Sequence, residues 1–236
     1  MKEFITLFLL LITAESSAQF NGRDFSIGFN AVYTTSARIY LQPYASDEAI
    51  RNNSFPVEDI LNPSTEIRYA LSESIILGLG TEYMNVTEEG SNLIVFTAGG
   101  TRAIRVQEGF KFIPVEFTAY YLFPFSTEKF KFLMGGGAGY YYGSHVRKIG
   151  DAEVNTIERK FAYGIHVNIS MDYLFRPNIS IRTEMKFRDP QFTVKSSYNK
   201  REIEYEGTTI RFLQESFDSK INIDGVTFLI GAAFHF

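Results

Sequence analysis

The chain has 236 residues, 45% of them apolar and 21% charged, with a formal charge of −4. That balance fits one folded domain and excludes a disordered chain, a bundle of membrane helices and a basic nucleic-acid-binding surface. Cysteine is absent, so disulfides and thiolate metal sites are excluded as well.

Residues 1–18 have the parts of a secretory signal peptide. Met1-Lys2 begins it, an apolar run from Phe4 to Ile12 follows, and Ser16-Ser17-Ala18 supplies small residues for cleavage after Ala18. Residues 19–236 then form the mature domain. Beyond the leader no apolar run reaches the roughly 18 residues that a spanning helix needs.

Strict alternation takes over from there, and helical spacing does not compete with it. In chain order it predicts eight strands: Phe25 to Thr34, Thr65 to Ser72, Ile75 to Val86, Phe110 to Leu122, Phe130 to Tyr142, Phe161 to Tyr173, Ile179 to Arg188 and Ile223 to Phe236. The sixth is the clearest. Its odd positions read Phe161, Tyr163, Ile165, Val167, Ile169, Met171 and Tyr173, and its even positions read Ala, Gly, His, Asn, Ser and Asp. The last strand places Val226, Phe228, Ile230, Ala232, Phe234 and Phe236 on one face and ends on an aromatic.

Connections fall into two kinds. Glu73-Ser74, Phe123 to Lys129 and Arg176 to Asn178 are short. Thr35 to Ser64, Thr87 to Gly109, Gly143 to Lys160 and Asp189 to Asn222 are long and polar, and Asn62-Pro63-Ser64 marks the upper limit of the second strand. Short turns on one side, long loops on the other and an even strand count are the asymmetry of a transmembrane barrel. Glu202 to Phe212 reads as a hairpin standing above the membrane; a ten-stranded barrel that uses it is the alternative.

Alternation alone does not say which face meets lipid, because a soluble barrel has the same period turned inside out. Volume decides. An eight-stranded bore cannot hold more than a dozen Phe and Tyr, so the apolar face points outward. Phe132, Met134, Ala138 and Tyr140 are placed outward through the ambiguous glycine run. Phe25, Phe123, Phe125, Tyr173 and Phe175 form one aromatic girdle; Tyr33, Tyr83, Tyr140, Tyr142, Phe161, Tyr163 and Phe187 form the other.

Inside, Gly28, Gly78, Gly80, Gly135, Gly137, Gly139 and Gly164 make room for long polar side chains. The expected lumen network is Glu66, Arg68, Glu82, Glu116, His166, Asp172, Arg182, Glu184, Lys186 and Arg188. Charges in a narrow, poorly hydrated bore must pair across strands. The turn at Arg176 to Asn178 sets Asp172 opposite or diagonal to Arg182 and brings His166 near Lys186 or Arg188. Glu66, Arg68 and Glu82 form a second cluster. The network is either a structural plug or a gate for a small ion path.

Catalytic, cofactor and metal positions are not nominated. Ser144 and His145 are adjacent in the third long loop, and adjacent residues of an extended chain point apart; His166 lies about 13 Å from Ser170 along its strand. The run Gly135 to Gly139 lacks the Lys-Ser/Thr and helix of a phosphate loop.

With Ile113-Pro-Val-Glu-Phe117, Lys131-Phe-Leu-Met-Gly-Gly-Gly-Ala-Gly-Tyr-Tyr-Tyr142 and the terminal strand in view, the mature chain resembles the small outer-membrane β-barrels, the porin-family group that includes the OmpA transmembrane domain, OmpX and OmpW. The resemblance implies an all-β, eight-stranded antiparallel up-and-down barrel in the outer membrane of a Gram-negative-type bacterium. It implies a structural or surface-interaction role through the outer loops, with a small passive channel as the alternative. Expected partners are outer-membrane lipid and surface ligands or proteins at the loops, and a monomer is favoured; no cofactor, enzyme activity or nucleic-acid partner is implied. No domain follows Phe236, so a peptidoglycan tether is not implied either.

Overall fold

A computed structural model describes residues 23–236, apart from 98–99, 206 and 213. The expected leader lies outside the described residues. Among the described residues fourteen strands are present: β1 Phe25–Tyr40, β2 Ser54–Ala70, β3 Ile75–Glu82, β4 Met84–Thr97, β5 Gly100–Leu122, β6 Phe130–Ile149, β7 Ala152–Arg159, β8 Tyr163–Arg176, β9 Ile179–Arg188, β10 Gln191–Tyr198, β11 Glu202–Tyr205, β12 Thr208–Arg211, β13 Phe217–Asn222 and β14 Val226–His235. One short helix, α1 Glu48–Arg51, follows β1, with the Asp47 side chain accepting from the Ala49 N–H.

Eight of these strands close a ring of antiparallel neighbours in the order β1, β2, β3, β5, β6, β8, β9, β14 and back to β1. This is the predicted eight-stranded up-and-down barrel. Short turns close its lower end: Leu71 N–H bonds to Ile75 O, Thr127 N–H bonds to Phe130 O, and Arg176 pairs with Ile179. The hairpin of β11 and β12 is a separate two-stranded sheet and takes no place in the ring.

The expected Ile179 to Arg188 strand matches β9, and the expected third and sixth strands become Ile75–Glu82 and Tyr163–Arg176; the first, second, fourth and fifth run well beyond their expected upper limits, and the four long connections are not loops for most of their length. β1 runs on to Tyr40, and β2 begins at Ser54 rather than Thr65, passing straight through Asn62-Pro63-Ser64. β5 and β6 reach 23 and 20 residues. At about 3.4 Å per residue and a tilt near 40°, β5 climbs roughly 60 Å, twice the hydrocarbon core of about 30 Å. The last strand breaks between Asn222 and Val226 instead of starting at Ile223.

The upper storey continues the same eight strands. β4 follows β3 after Tyr83, β10 follows β9 after Asp189-Pro190, β7 feeds β8, and β13 feeds β14. Its order is β2, β1, β13, β10, β7, β6, β5, β4. Pro190 has no N–H to give a ladder, which accounts for one break. Gly225 marks another: its N–H bonds to Ser36 O, and a Cβ there would sit 2.5 Å from the Ser36 nitrogen.

Polarity inverts between the storeys. Below, Phe29, Leu61, Leu79, Phe117, Phe161, Ile165 and Ile230 are exposed on the outside, with Ile165 79% and Phe161 74% accessible, while Arg68 and Arg182 are fully buried. Above, the inside is apolar, built from Ile39, Val57, Met84, Phe110, Phe112, Phe192, Val194 and Ile221. The outside there carries Arg38, Glu58, Glu89, Lys111, Glu153 and Lys195. On β1 and β2 the inward register also slips by one residue at Thr35 and Asp59, both left out of the ladder. Asp59 has a φ of 53°, a region that Asp tolerates better than most residues, and its carboxylate accepts from Tyr33 Oη at 2.5 Å.

Candidate functional site: the filled bore

All ten residues of the expected network are buried inside the lower ring. Asp172 and Arg182 are direct partners in the β8–β9 register, and the guanidinium grips the carboxylate with two bonds, 2.9 and 2.8 Å. Bidentate pairing of this kind is strong and geometrically fixed. His166 lies opposite Arg188 in the same ladder, but its ring bonds to the Thr118 hydroxyl at 2.8 Å.

Of the expected second cluster, Glu66 and Arg68 bond one another across from Gly80 and Gly78, but Glu82 is not with them. Glu66 and Arg68 join Asp172 and Arg182: Arg68 donates to Glu66 at 2.7 Å and to Glu184 at 2.8 Å, and Arg182 donates to Glu66 at 3.1 Å. Glu82 sits one layer higher. Arg188 bonds it at 2.8 and 3.0 Å and Glu116 at 3.0 Å, while Lys186 bonds Glu116 at 2.8 Å. Arg68 to Glu184, Arg182 to Glu66, and Arg188 to Glu82 and Glu116 meet across the bore, between strands that are not neighbours, and the tilt of the closed ring sets which of these pairs meet. Lys186 also lies 3.7 Å from Glu184, so the two layers touch.

Tyr120 is the hub that the sequence reading left outside the network. Its hydroxyl donates to Glu66 at 2.6 Å and accepts from Arg68 at 2.9 Å and Asn168 at 3.1 Å, and its ring lies 3.9 Å beneath the Arg68 guanidinium. Glycines make the space. A Cβ on Gly78 would stand 2.8 Å from the Tyr120 ring, and one on Gly135 would be 2.2 Å from Asn168. A polar cavity of about 20 Å³, lined in part by Thr65, Glu66, Glu82, Glu116 and Lys186, remains between the layers. That is room for about one water molecule.

Below the charges, Ala70, Ile76, Leu133 and Leu122 pack against Tyr120. Above them the Phe112 and Phe192 rings stack 5.5 Å apart within the upper apolar cluster. A second polar layer follows. His145 bonds Glu108 through Nε2 and meets the Ser219 hydroxyl through Nδ1 at 3.0 Å, and Arg147 lies 3.4 Å from Glu108. Burial pushes the neighbouring Tyr198 phenol up. Ser144 and His145 do point apart; Ser219 comes from β13 instead. Glu108 and Ser219 have no exposed surface, so this group ties β5, β6 and β13 together within the packed interior. The signal for it was available, because the inward parity of β6 runs unbroken through Tyr141, Gly143, His145, Arg147 and Ile149.

The top is closed by Ile203 and Ile210 of the hairpin, packed on Ile104, Val106, Ile149 and Ala152. Tyr198 and Phe212 stack 3.9 Å apart beside them, and Lys200 pairs with Asp151. Among the described residues no group of three or more His, Asp or Glu is arranged to hold a metal ion.

A closed ring of eight antiparallel strands, apolar without and charged within, defines the small outer-membrane β-barrel fold. Neither a family model nor a curated protein matches the chain. Solved structures do: the outer membrane protein OprG from Pseudomonas aeruginosa superposes with a TM-score of 0.63 over 92% of this chain and 97% of that one, at 12% identity. Neisserial surface protein A gives 0.47 at 12% identity over 90% and 97% of the two chains. The attachment invasion locus protein Ail of Yersinia pestis gives 0.44 at 13%, over 90% and 99%. At these identities the likeness is one of fold.

Proposed function

We propose that this protein is a sealed barrel of the outer membrane, exported by cleavage of residues 1–18, whose tall upper storey presents a surface for interaction outside the cell. The observation that carries the reading is the filled bore. Two charge layers, an aromatic layer, the His145 layer and the hairpin cap follow one another along the axis, and the cavity between the charge layers is about 20 Å³. A hydrated ion path needs continuous space that this stack does not supply. The network of Glu66, Arg68, Glu82, Glu116, His166, Asp172, Arg182, Glu184, Lys186 and Arg188 is then a structural plug rather than a gate.

The partners that fit are the membrane lipid around the apolar belt and ligands or proteins at the polar upper surface. Purified protein in planar bilayers tests the reading. Electrical silence is expected, and steady ohmic steps would establish the small passive channel in its place.

A further inference from the structure

The upper storey is two sheets rather than one closed wall. Among the described residues β4 pairs with β5 alone, and Ser54 to Glu58 of β2 pair with β1 alone, so no ladder joins β2 to β4. On the far side β6 and β7 pair only at Lys148 with Glu153 and Ile149 with Ala152, around the turn at Gly150. One sheet is therefore β2, β1, β13, β10 and β7, and the other is β6, β5 and β4.

The two sheets stand differently on the lower ring. β5 and β6 run unbroken from the ring into the upper storey. Every strand of the five-stranded sheet is interrupted at the boundary. The β1–β2 ladder skips Thr35 and Asp59, where the φ of Asp59 is 53°; Asp189-Pro190 part β9 from β10, residues 160–162 part β7 from β8, and residues 223–225 part β13 from β14. A few residues at element ends, able to absorb a change of φ and ψ, are what a hinge requires.

Side chains span the gaps between the sheets. At the β2–β4 edge the Glu58 N–H donates to Glu88 Oε1 at 3.1 Å, and the Phe55 ring lies so close to Gly90 that a Cβ there would meet it at 2.4 Å. Pro56, two residues before Glu58 and so facing the same edge, has no N–H with which to build a ladder. On the β6–β7 side Arg159 Nε donates to Gly143 O at 3.0 Å. Between the sheets the contact is mostly apolar, with the Phe192 ring of one stacked on Phe112 of the other, and the Ser219 hydroxyl meets His145 Nδ1 at 3.0 Å.

We propose that the five-stranded sheet is a door, which swings as one body about the β6–β7 side, on the interrupted strands beneath it, and opens at the β2–β4 edge with Glu88 as its latch. The cap is a second latch, since Ile203 and Ile210 reach over to Ile104 and Val106 of the fixed sheet. The open form is the minor one, because it exposes buried apolar side chains such as Val57 and Ile221 to water. Both charge layers lie below the hinge, so the door reshapes the outer surface without opening a path through the bore.

The test uses the full mature barrel folded in phospholipid vesicles, with folding read first from heat-dependent gel mobility. The chain has no cysteine, so a single introduced thiol reports its own exposure. Val57→Cys lies beside the opening edge, Ile221→Cys two strands away in the same sheet, and Ala233→Cys in the lower ring; all three positions are fully buried. Labelling by a soluble thiol reagent is followed where its rate tracks the population of the open form. Val57→Cys and Ile221→Cys are expected to react at similar rates, both faster than Ala233→Cys. Adding Glu88→Ala is expected to raise both about fivefold, the worth of one exposed hydrogen bond, and to leave Ala233→Cys unchanged. Acceleration at Val57→Cys alone would mean fraying of β2, and acceleration at Ala233→Cys would mean loosening of the whole barrel; either overturns the door. Rates at Val57→Cys and Ile221→Cys that ignore Glu88→Ala, or that equal the rate at Ala233→Cys, overturn it as well.

Discussion

Arg68 on β2 reaches across the bore and donates to Glu184 on β9, 2.8 Å away, although three steps around the ring separate the two strands. The same guanidinium binds Glu66 and Tyr120, so one side chain ties three walls of the barrel together. Substituting Arg68→Met leaves three buried carboxylates, Glu66, Asp172 and Glu184, short of a cation. The expected loss is about 3–5 kcal/mol, the cost of orphaning a buried charge. Urea unfolding of the protein in phospholipid vesicles measures it, and a change within error of zero would remove the network from the account of stability.

Two neighbouring glycines make a sharper comparison. Gly135 faces the bore, where an added Cβ meets Asn168 at 2.2 Å and Tyr120 at 2.7 Å; Gly136 faces out, and its nearest neighbour would be 3.6 Å away. Gly135→Val is expected to lower stability by roughly 1–3 kcal/mol through overpacking. Gly136→Ala is expected to be neutral in the same unfolding series.

Phe192→Ala removes one ring from the stack with Phe112 and is expected to cost about 3–5 kcal/mol, the range for deleting a buried aromatic. Because both charge layers lie below it, bilayer recordings of this variant are expected to stay silent. Conductance on removing Phe192 alone would show that the aromatic layer, not the charge layers, seals the bore.

The hairpin cap has an acid-sensitive clamp. The hydrogen bond from Lys200 holds the Asp151 carboxyl below the usual carboxylate range. A depressed carboxyl stabilises the docked hairpin above its undocked pKa, and that contribution is lost as pH falls through the lowered value, hence below about pH 3.9. Protection factors of residues 202–211, with the intrinsic pH dependence of amide exchange divided out, are expected to fall in that window in the wild type. In Asp151→Asn the protection factors are expected to be insensitive to the same acid step.

Ile203→Asp attacks the apolar contacts that seat the cap. Burying an unpaired carboxylate against Ile104, Val106 and Ile149 is unfavourable, so the hairpin is expected to lift and free the backbone at Lys200 and Arg201, whose side chains are already exposed, to extend into trypsin. Cleavage there with the rest of the barrel intact on a gel is the expected pattern; unchanged resistance would mean that the hairpin is held by other contacts.

The Asp172–Arg182 pair was legible in the sequence because the three-residue turn at Arg176 to Asn178 fixes the register between the two strands. Arg68–Glu184 was not, since nothing local to either residue encodes which strands face each other across the closed ring. The upper storey was missed for a different reason. Past Tyr142 both faces of β6 turn polar, with Ser144 and Lys148 outward beside the inward His145 and Arg147, so these residues looked like a loop although they continue the inward face of the strand. At Asp59 the register itself slips, and a pattern search that requires unbroken parity stops there.

By itself the sequence determined the period of two, the count of eight transmembrane segments and the outward direction of the aromatic face, because backbone geometry sends alternate side chains to opposite sides and an eight-stranded bore is too narrow for so many rings. Only the tertiary structure decided how far the strands rise above the belt, which charges meet and what closes the interior. Those depend on strand tilt and ring closure, which bring residues more than a hundred positions apart to hydrogen-bond distance.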